Sequence, residues 1–368
     1  MKICIISNNQ YRACTPDQPD CLSYYGSEPQ HAILAEQLGK NGHDVHFIAP
    51  TGSFQGQNVT LHPTSFTGGL LARDLIEEIS LERPKFTHKS LMEMDFIIDM
   101  SALANNIEQL ARFTSYRKYC CYRNGYLSFG TPAVGPQLAH LVTPSKQNTK
   151  IFADHGYAAD TIYYGIPPFY CPGDNAADYF TDWFGSGFEL TEGDYWLFPH
   201  RMDDDKGTDI VLQLAERFTR ETFVFSAHAP LGVHQVHENI LKSYVAQKGL
   251  ENVRFVTIPL THEHHYFKRE LLRHAKAVLS PFHYPKYVEG FGLANAEAVQ
   301  CGTPLIISDS PSTTELWREY TDAIICEPTI RSFEGAIWHF GSYNLHPSGR
   351  FSVEDYARNY EQLALKYA

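Results

Sequence analysis

No stretch of this sequence is long and apolar enough to span a bilayer. Its opening residues, MKICIISNN, hold one lysine and a short apolar run, not the tripartite pattern of a secretory signal. A soluble, cytoplasmic protein is therefore expected. The eight cysteines, at positions 4, 14, 21, 120, 121, 171, 301 and 326, contain no CxxC pair and no zinc-ligand spacing. Cys4, Cys120, Cys301 and Cys326 lie in or beside apolar runs, as small core residues do. Cys14 and Cys21 flank a Pro/Asp loop and are close enough in sequence to bridge, but without a secretory signal both are expected as free thiols. Also lacking is a GxGxxG turn. The first strand runs into NNQYRACTPDQPD, which argues against a dinucleotide-dependent dehydrogenase.

Positive charge is scarce as well. The net charge is −12, and it is unevenly spread. Residues 1–170 carry 13 Lys+Arg against 15 Asp+Glu, a net of −2, whereas residues 171–368 carry 17 against 27, a net of −10. Broad nucleic-acid binding needs a basic face, so the acidic second half argues against that class. One local basic cluster remains, Arg112, Arg117, Lys118 and Arg123. It reads either as a solvated surface or as a face for an anionic acceptor or lipid headgroups, which would allow peripheral membrane contact through the N-terminal half.

What the chain does have is length and rhythm. Its 368 residues suffice for two domains, each with its own core. Short apolar strands alternate with amphipathic helices: KICIIS, then PQHAILAEQLGKNG closed by Gly42, then DVHFIAP, DFIIDMS, KYCCYRN, HLVTPS and TIYYGI. Between Gly165 and Tyr195 the composition turns to Pro, Gly, Asp and aromatics without a period, which marks a boundary. The rhythm then restarts with YWLFPH, TDIVLQLAERF, FVFSA, NVRFVTI, KAVLSP, PLIISD and AIICEP. The expected organisation is an N-terminal Rossmann-like domain over 1–170, a second over 171–347, and a terminal helix over 348–368 that packs back toward the first. Sheets of this kind bind ligands beyond the carboxyl ends of their strands.

Two strand-to-helix loops carry unusual chemistry. In FPHRMDDDKGTDI, residues 198–210, Arg201 follows a strand at once and Lys206-Gly207 precedes a helix starting near Thr208. A guanidinium, an ammonium and a helix N-terminus suit a diphosphate. An ordinary surface turn, with Asp203, Asp204 and Asp205 offsetting the two cations, explains the segment equally well. In HYPKYVEGFGLANAEAVQCG the glycines Gly290 and Gly292 let backbone amides approach a ligand, and a helix is predicted from about Leu293 to a stop at Gly302. Glu289 then lies in the loop and Glu297 about one turn into the helix, on the side of Leu293 and Ala294. Two acceptor-only groups around a cluster of amides would hold a polyol. A carboxylate that only balances the helix dipole would account for Glu297, at ~0.3–1 kcal/mol, but for neither Glu289 nor the glycines.

The stretch EGFGLANAEAVQCGTPLIISD resembles the E-x7-E signature of retaining GT-B glycosyltransferases of family GT4. Similar to that family, too, are the R-x4-K-G element at 201–207, GSEPQHAILAEQLGKNGHDVHFIAP and LVTPSKQNTKIFADHGYAADTIYYGI, with Thr314-Glu315 where the family has a turn ending in Glu. The resemblance implies a GT-B fold, two doubly wound domains facing across a cleft, and metal-independent transfer of a sugar from a nucleoside-diphosphate sugar, UDP or GDP, to a hydroxyl acceptor. It assigns Arg201 and Lys206 to the diphosphate, Glu297 to the ribose and Glu289 to the transferred sugar, with the backbone of Gly290, Phe291, Gly292, Leu293 and Ala294 between them. No cofactor and no metal ligand are implied. Ile258 and Leu260 are expected near the base, beside a helix that THEHHYFKREL starts with Thr261 as its cap. On the acceptor side the family's paired glycines are reduced to Gly26-Ser27, and Asp99, Arg123 and Asn124 stand where the family usually has histidine. A rival reading follows from that departure: a non-catalytic sugar-nucleotide-binding protein that kept one half of the site.

Overall fold

The computed structural model describes residues 1–7, 13–15, 28–64, 88–100, 119–122, 140–171, 180–185, 188, 190–228, 233–258, 264–318, 322–347 and 349–367. The chain divides into two compact units, Met1–Pro167 with Phe351–Ala368, and Pro168–Arg350.

The first unit is built on β1 (Lys2–Ile6), β2 (Asp44–Pro50), β3 (Val59–Thr64), β4 (Phe96–Asp99), β5 (Tyr119–Tyr122), β6 (His140–Thr143) and β7 (Ala159–Thr161). They pair in the order β3-β2-β1-β4-β5-β6-β7, every neighbour parallel. Parallel neighbours need crossovers, here carried by α1 (Glu28–Lys40), α2 (His88–Met92) and α3 (Lys146–Asp154) among the described helices. Strands covered on both faces read as continuous apolar runs, and β4 is buried throughout. The second unit holds β8 (Tyr195–Phe198), β9 (Thr222–His228), β10 (Val253–Ile258), β11 (Ala277–Ser280), β12 (Leu305–Ser308) and β13 (Ala323–Cys326), in the parallel order β10-β9-β8-β11-β12-β13. Its helices are α4 (Thr208–Arg217), α5 (Val233–Lys248), α6 (His264–Arg273), α7 (Leu293–Gln300), α8 (Pro311–Trp317) and α9 (Ile330–Trp338). Trp196, Phe198, Phe223, Phe225, Leu279 and Ile306 fill its core. The terminal helix α10 (Val353–Tyr367) belongs to the first unit, where Asn41 and His43 bind Glu361 at 2.7 and 2.9 Å.

Three local readings differ from expectation. β3 escapes the strand pattern because VTLHPT contains Pro63, which an edge strand tolerates since one side of it needs no partner. The strand expected in TIYYGI stops at Thr161. Beyond it the chain follows the terminal helix: Ile166 N donates to Phe351 O at 2.6 Å, and Gly165 lies so close to Val353 that a Cβ would meet its Cα at 2.7 Å. Cys14 is disulfide-bonded, not a free thiol. The turn carrying it folds onto 53–54, where Ala13 N donates to Ser53 Oγ at 3.1 Å and Phe54 N to Ala13 O at 2.9 Å. Cys14 itself is buried. No helix among the described residues is long and apolar enough to cross a membrane.

The first unit buries a histidine beside the end of β1, with burial the dominant effect on its charge. His31 on α1 is fully buried, its Nδ1 2.7 Å from Ser7 Oγ, and burial lowers its pKa from 6.5 to about 3. The unfolded chain therefore binds a proton that the folded one refuses. Stability is complete above pH 6.5 and falls by up to ~1.4 kcal/mol per unit as the pH drops toward 3. Urea midpoints at pH 7 and pH 5 check this: the loss on acidification should shrink in His31→Gln.

Candidate functional site

In the second unit the strand order reverses direction between β8 and β11, which are direct neighbours although two strands and three helices separate them in sequence. Loops leaving such a pair diverge and leave a crevice, the usual ligand position of an open α/β sheet. Both unusual segments of the sequence are those two loops.

After β8 the chain runs through His200 and Arg201 into a single 3₁₀ turn, Asp204–Lys206, and Gly207 turns it into α4. Gly207 has φ +79°, and a Cβ there would drive into the Pro281 carbonyl of the loop after β11. The two loops thus touch at a position only glycine fills. The turn buries Lys206, whose Nζ donates to Glu289 Oε2 at 2.7 Å and Tyr287 Oη at 2.6 Å and lies 4.1 Å from the Tyr287 ring centroid. Arg201 is 42% exposed on its side chain and ion-paired with Asp203, whose other oxygen meets His237 Nδ1 at 3.1 Å. Asp203 therefore balances Arg201, as the bland reading has it, while Lys206 is matched by a residue from the other loop.

After β11, Glu289 is held at both ends. Its carboxylate takes Lys206, and its backbone carbonyl accepts from Ser312 Oγ at 2.5 Å. Ser312 lies in α8 with Thr314 and Glu315, under the Ser310 cap. Gly292, φ +75°, is the N-cap of α7 and has no side chain to cap it. The first helical donors are Asn295 and Ala296, both to Gly292 O, so the amides of Leu293 and Ala294 precede the hydrogen-bonded turn. Leu293 and Ala294 are half-buried, whereas Gly290 and Phe291 are buried. Helix α7 starts at Leu293 and ends before Gly302, as its sequence predicts.

Glu297 lies just past the first turn of α7, 8% exposed. Lys268 Nζ on α6 is 2.5 Å from its Oε2. Burial first, then the Glu297 charge, pushes the Tyr170 hydroxyl well above its usual range, so it stays protonated. His200 completes the group. Its Nε2 is shielded from solvent without a hydrogen-bond partner, and its pKa is held well below the usual value by burial, then by Lys206, Lys268 and Arg201. Three cations and a neutral imidazole thus stand together, with the three carboxylates Asp203, Glu289 and Glu297 each paired to one cation.

Arg201, Lys206, Glu289, Glu297 and the 290–294 backbone all come from these loops and α7. Ile258 ends β10 with no exposed surface, so it backs the wall and offers none to a base. Asp99 ends β4 of the first unit, also fully buried, and its charge joins burial in pushing the Cys4 thiol up. Gly26, Ser27, Arg123, Asn124, Leu260, Thr261 and the basic cluster of 112–123 lie outside the described residues. Sequence reasoning missed Lys268, Tyr170, Tyr287, His200 and Ser312. Lys268 had a readable signal: it occupies the stripe of α6 that also carries His264, Leu271 and Leu272, all buried.

Residues 180–340 match the family model of glycosyl transferases group 1. No curated protein matches the sequence. Among solved structures, HepE of Anabaena in complex with UDP and glucose aligns at 16% identity over 100% of both chains, with a TM-score of 0.71. Sucrose-phosphate synthase from Thermosynechococcus elongatus aligns at 15% identity over 100% of this chain and 97% of its own, TM-score 0.64. The UDP-GlcNAc 2-epimerase of Methanocaldococcus jannaschii aligns at 13% over 100% of both, TM-score 0.57. Identities this low establish the fold alone, which is GT-B with two Rossmann-like units. That an epimerase shares it means the reaction must be argued from the site.

Proposed function

We propose that the protein is a retaining glycosyltransferase of the GT4 type that moves a sugar from a UDP- or GDP-sugar to a hydroxyl acceptor. The observation that carries this reading is the pair of lysine-held carboxylates, Lys206–Glu289 and Lys268–Glu297, on either side of the first amides of α7. In this reading Glu297 accepts from the ribose hydroxyls and Glu289 from hydroxyls of the transferred sugar. The amides of Leu293 and Ala294 meet phosphate or sugar oxygens. Lys206 and Arg201 stabilise the charge that develops on the leaving diphosphate, and such preorganised charge lowers the barrier without reorganisation at the moment of reaction. These cations supply what a divalent metal would, so none is invoked. A departing phosphate oxygen takes the proton of the acceptor hydroxyl on the face it leaves, which retains the anomeric configuration.

A thermal-shift series with UDP-, GDP- and ADP-sugars tests the assignment. One of the first two should raise the melting temperature of the wild type, because a ligand at 100 times its dissociation constant adds about 2.7 kcal/mol. Glu297→Ala should lose that shift while keeping its own melting transition. Turnover of the stabilising donor across an acceptor panel then decides the chemistry, with the product anomer read by NMR. Binding with neither transfer nor hydrolysis would point instead to a non-catalytic sugar-nucleotide-binding protein.

A further inference from the structure

The Glu297 carboxylate is a buried charge, and a carboxylate taken from water without a partner gives up its ionisation. One group from outside its own helix holds it. Lys268 Nζ lies 2.5 Å from Oε2, the two side chains being 14% and 11% exposed. The carboxylate's charge also acts on the buried Tyr170 hydroxyl of the 3₁₀ turn Pro168–Tyr170, whose oxygen lies 3.4 Å from Nδ1 of His265, one turn before Lys268 on α6. Arg269 acts on Tyr170 from α6, and the buried Cys301 senses the Glu297 charge from the end of α7. Lys268 also acts on His200 together with Lys206 and Arg201.

An ionised carboxylate with its geometry fixed accepts from two vicinal hydroxyls at once, whereas a protonated or swinging one does not. Lysine on the buried stripe of a helix also needs a reason, since its charge is costly there unless paired. We propose that Lys268 is a positioning residue that holds the Glu297 carboxylate aimed, and that it thereby makes the site select ribonucleoside over 2′-deoxyribonucleoside diphosphates. The inference rests on the reading of Glu297 as the ribose ligand. A purely structural ion pair between α6 and α7 would affect stability but leave that selectivity untouched.

The test is calorimetric titration of the full chain with UDP and 2′-deoxy-UDP, or GDP and 2′-deoxy-GDP if GDP is the nucleotide that binds. The wild type should prefer the ribonucleotide about tenfold, the size expected for one charge-assisted hydrogen bond. Lys268→Met should bring the two affinities within about twofold. Lys268→Arg should keep the preference. Lys268→Gln, which is polar and uncharged, should behave as the methionine variant and serves if that one fails to fold. Full preference in a folded Lys268→Met or Lys268→Gln would overturn the inference while leaving the donor site standing. A wild type that binds UDP and 2′-deoxy-UDP equally would remove the ribose reading of Glu297 and this inference with it.

Discussion

Lys206→Met lowers the turnover number for sugar transfer by about 10²–10³-fold, the loss typical of removing one preorganised group that meets developing charge. Two effects add in the same direction. The leaving diphosphate loses a cation that the 3₁₀ turn and Gly207 place, and Glu289 loses the ammonium 2.7 Å from its carboxylate. Tyr287, whose hydroxyl is 2.6 Å from the same nitrogen, cannot replace the charge. Arginine should restore little, because a planar fork does not fit the slot between a phenol and a carboxylate that a point charge fills. Steady-state kinetics with the donor that gives a thermal shift check the outcome, alongside the melting temperature of the variant. Turnover within threefold of wild type would remove Lys206 from the chemistry.

Glu270→Gln should cost about 3–5 kcal/mol, the penalty for breaking a buried ion pair by removing one partner. Glu270 is fully buried on α6 and accepts from Arg269 Nε at 2.9 Å, with Arg273 at 3.7 Å and His274 Nε2 at 3.5 Å. Arg269 is itself 1% exposed, lying 4.9 Å from the Phe169 ring and 5.3 Å from the Tyr266 ring. Without the carboxylate the Arg269 charge loses its 2.9 Å partner and stays buried beside two aromatic faces. A shift of 2–4 °C per kcal/mol, usual for a unit of this size, puts the melting temperature down by about 10 °C. Scanning calorimetry reads it directly, and a change below about 2 °C would mean that water or rearrangement satisfies Arg269. The same helix carries Lys268, so the variant should also weaken nucleotide binding more than its stability loss alone would predict.

Much of this was legible in the chain itself. The starts of α4 near Thr208 and α7 at Leu293 follow from glycine before an apolar helical period, and both structures agree with the pattern. The parallel strands read as apolar runs because both of their faces are covered. What escaped was set by tertiary packing. Proline in β3 is acceptable only because that strand lies at the edge. The TIYYGI segment leaves the sheet because its backbone bonds the start of the terminal helix, 185 residues downstream at Phe351.

The site divides along the same line. Spacing within one segment placed Arg201 and Lys206 around a helix start, and Glu289 and Glu297 around the glycines of another, because helix periodicity and glycine's backbone freedom are local properties. Only the tertiary structure decided which charge meets which. Lys206 and Glu289 are 83 residues apart and Lys268 comes from a third element, so no local pattern couples them. The reversal of strand order between β8 and β11 does so, because it brings two loops from distant parts of the chain to one end of the sheet. Burial at that end then makes each ion pair strong enough to hold its carboxylate in place.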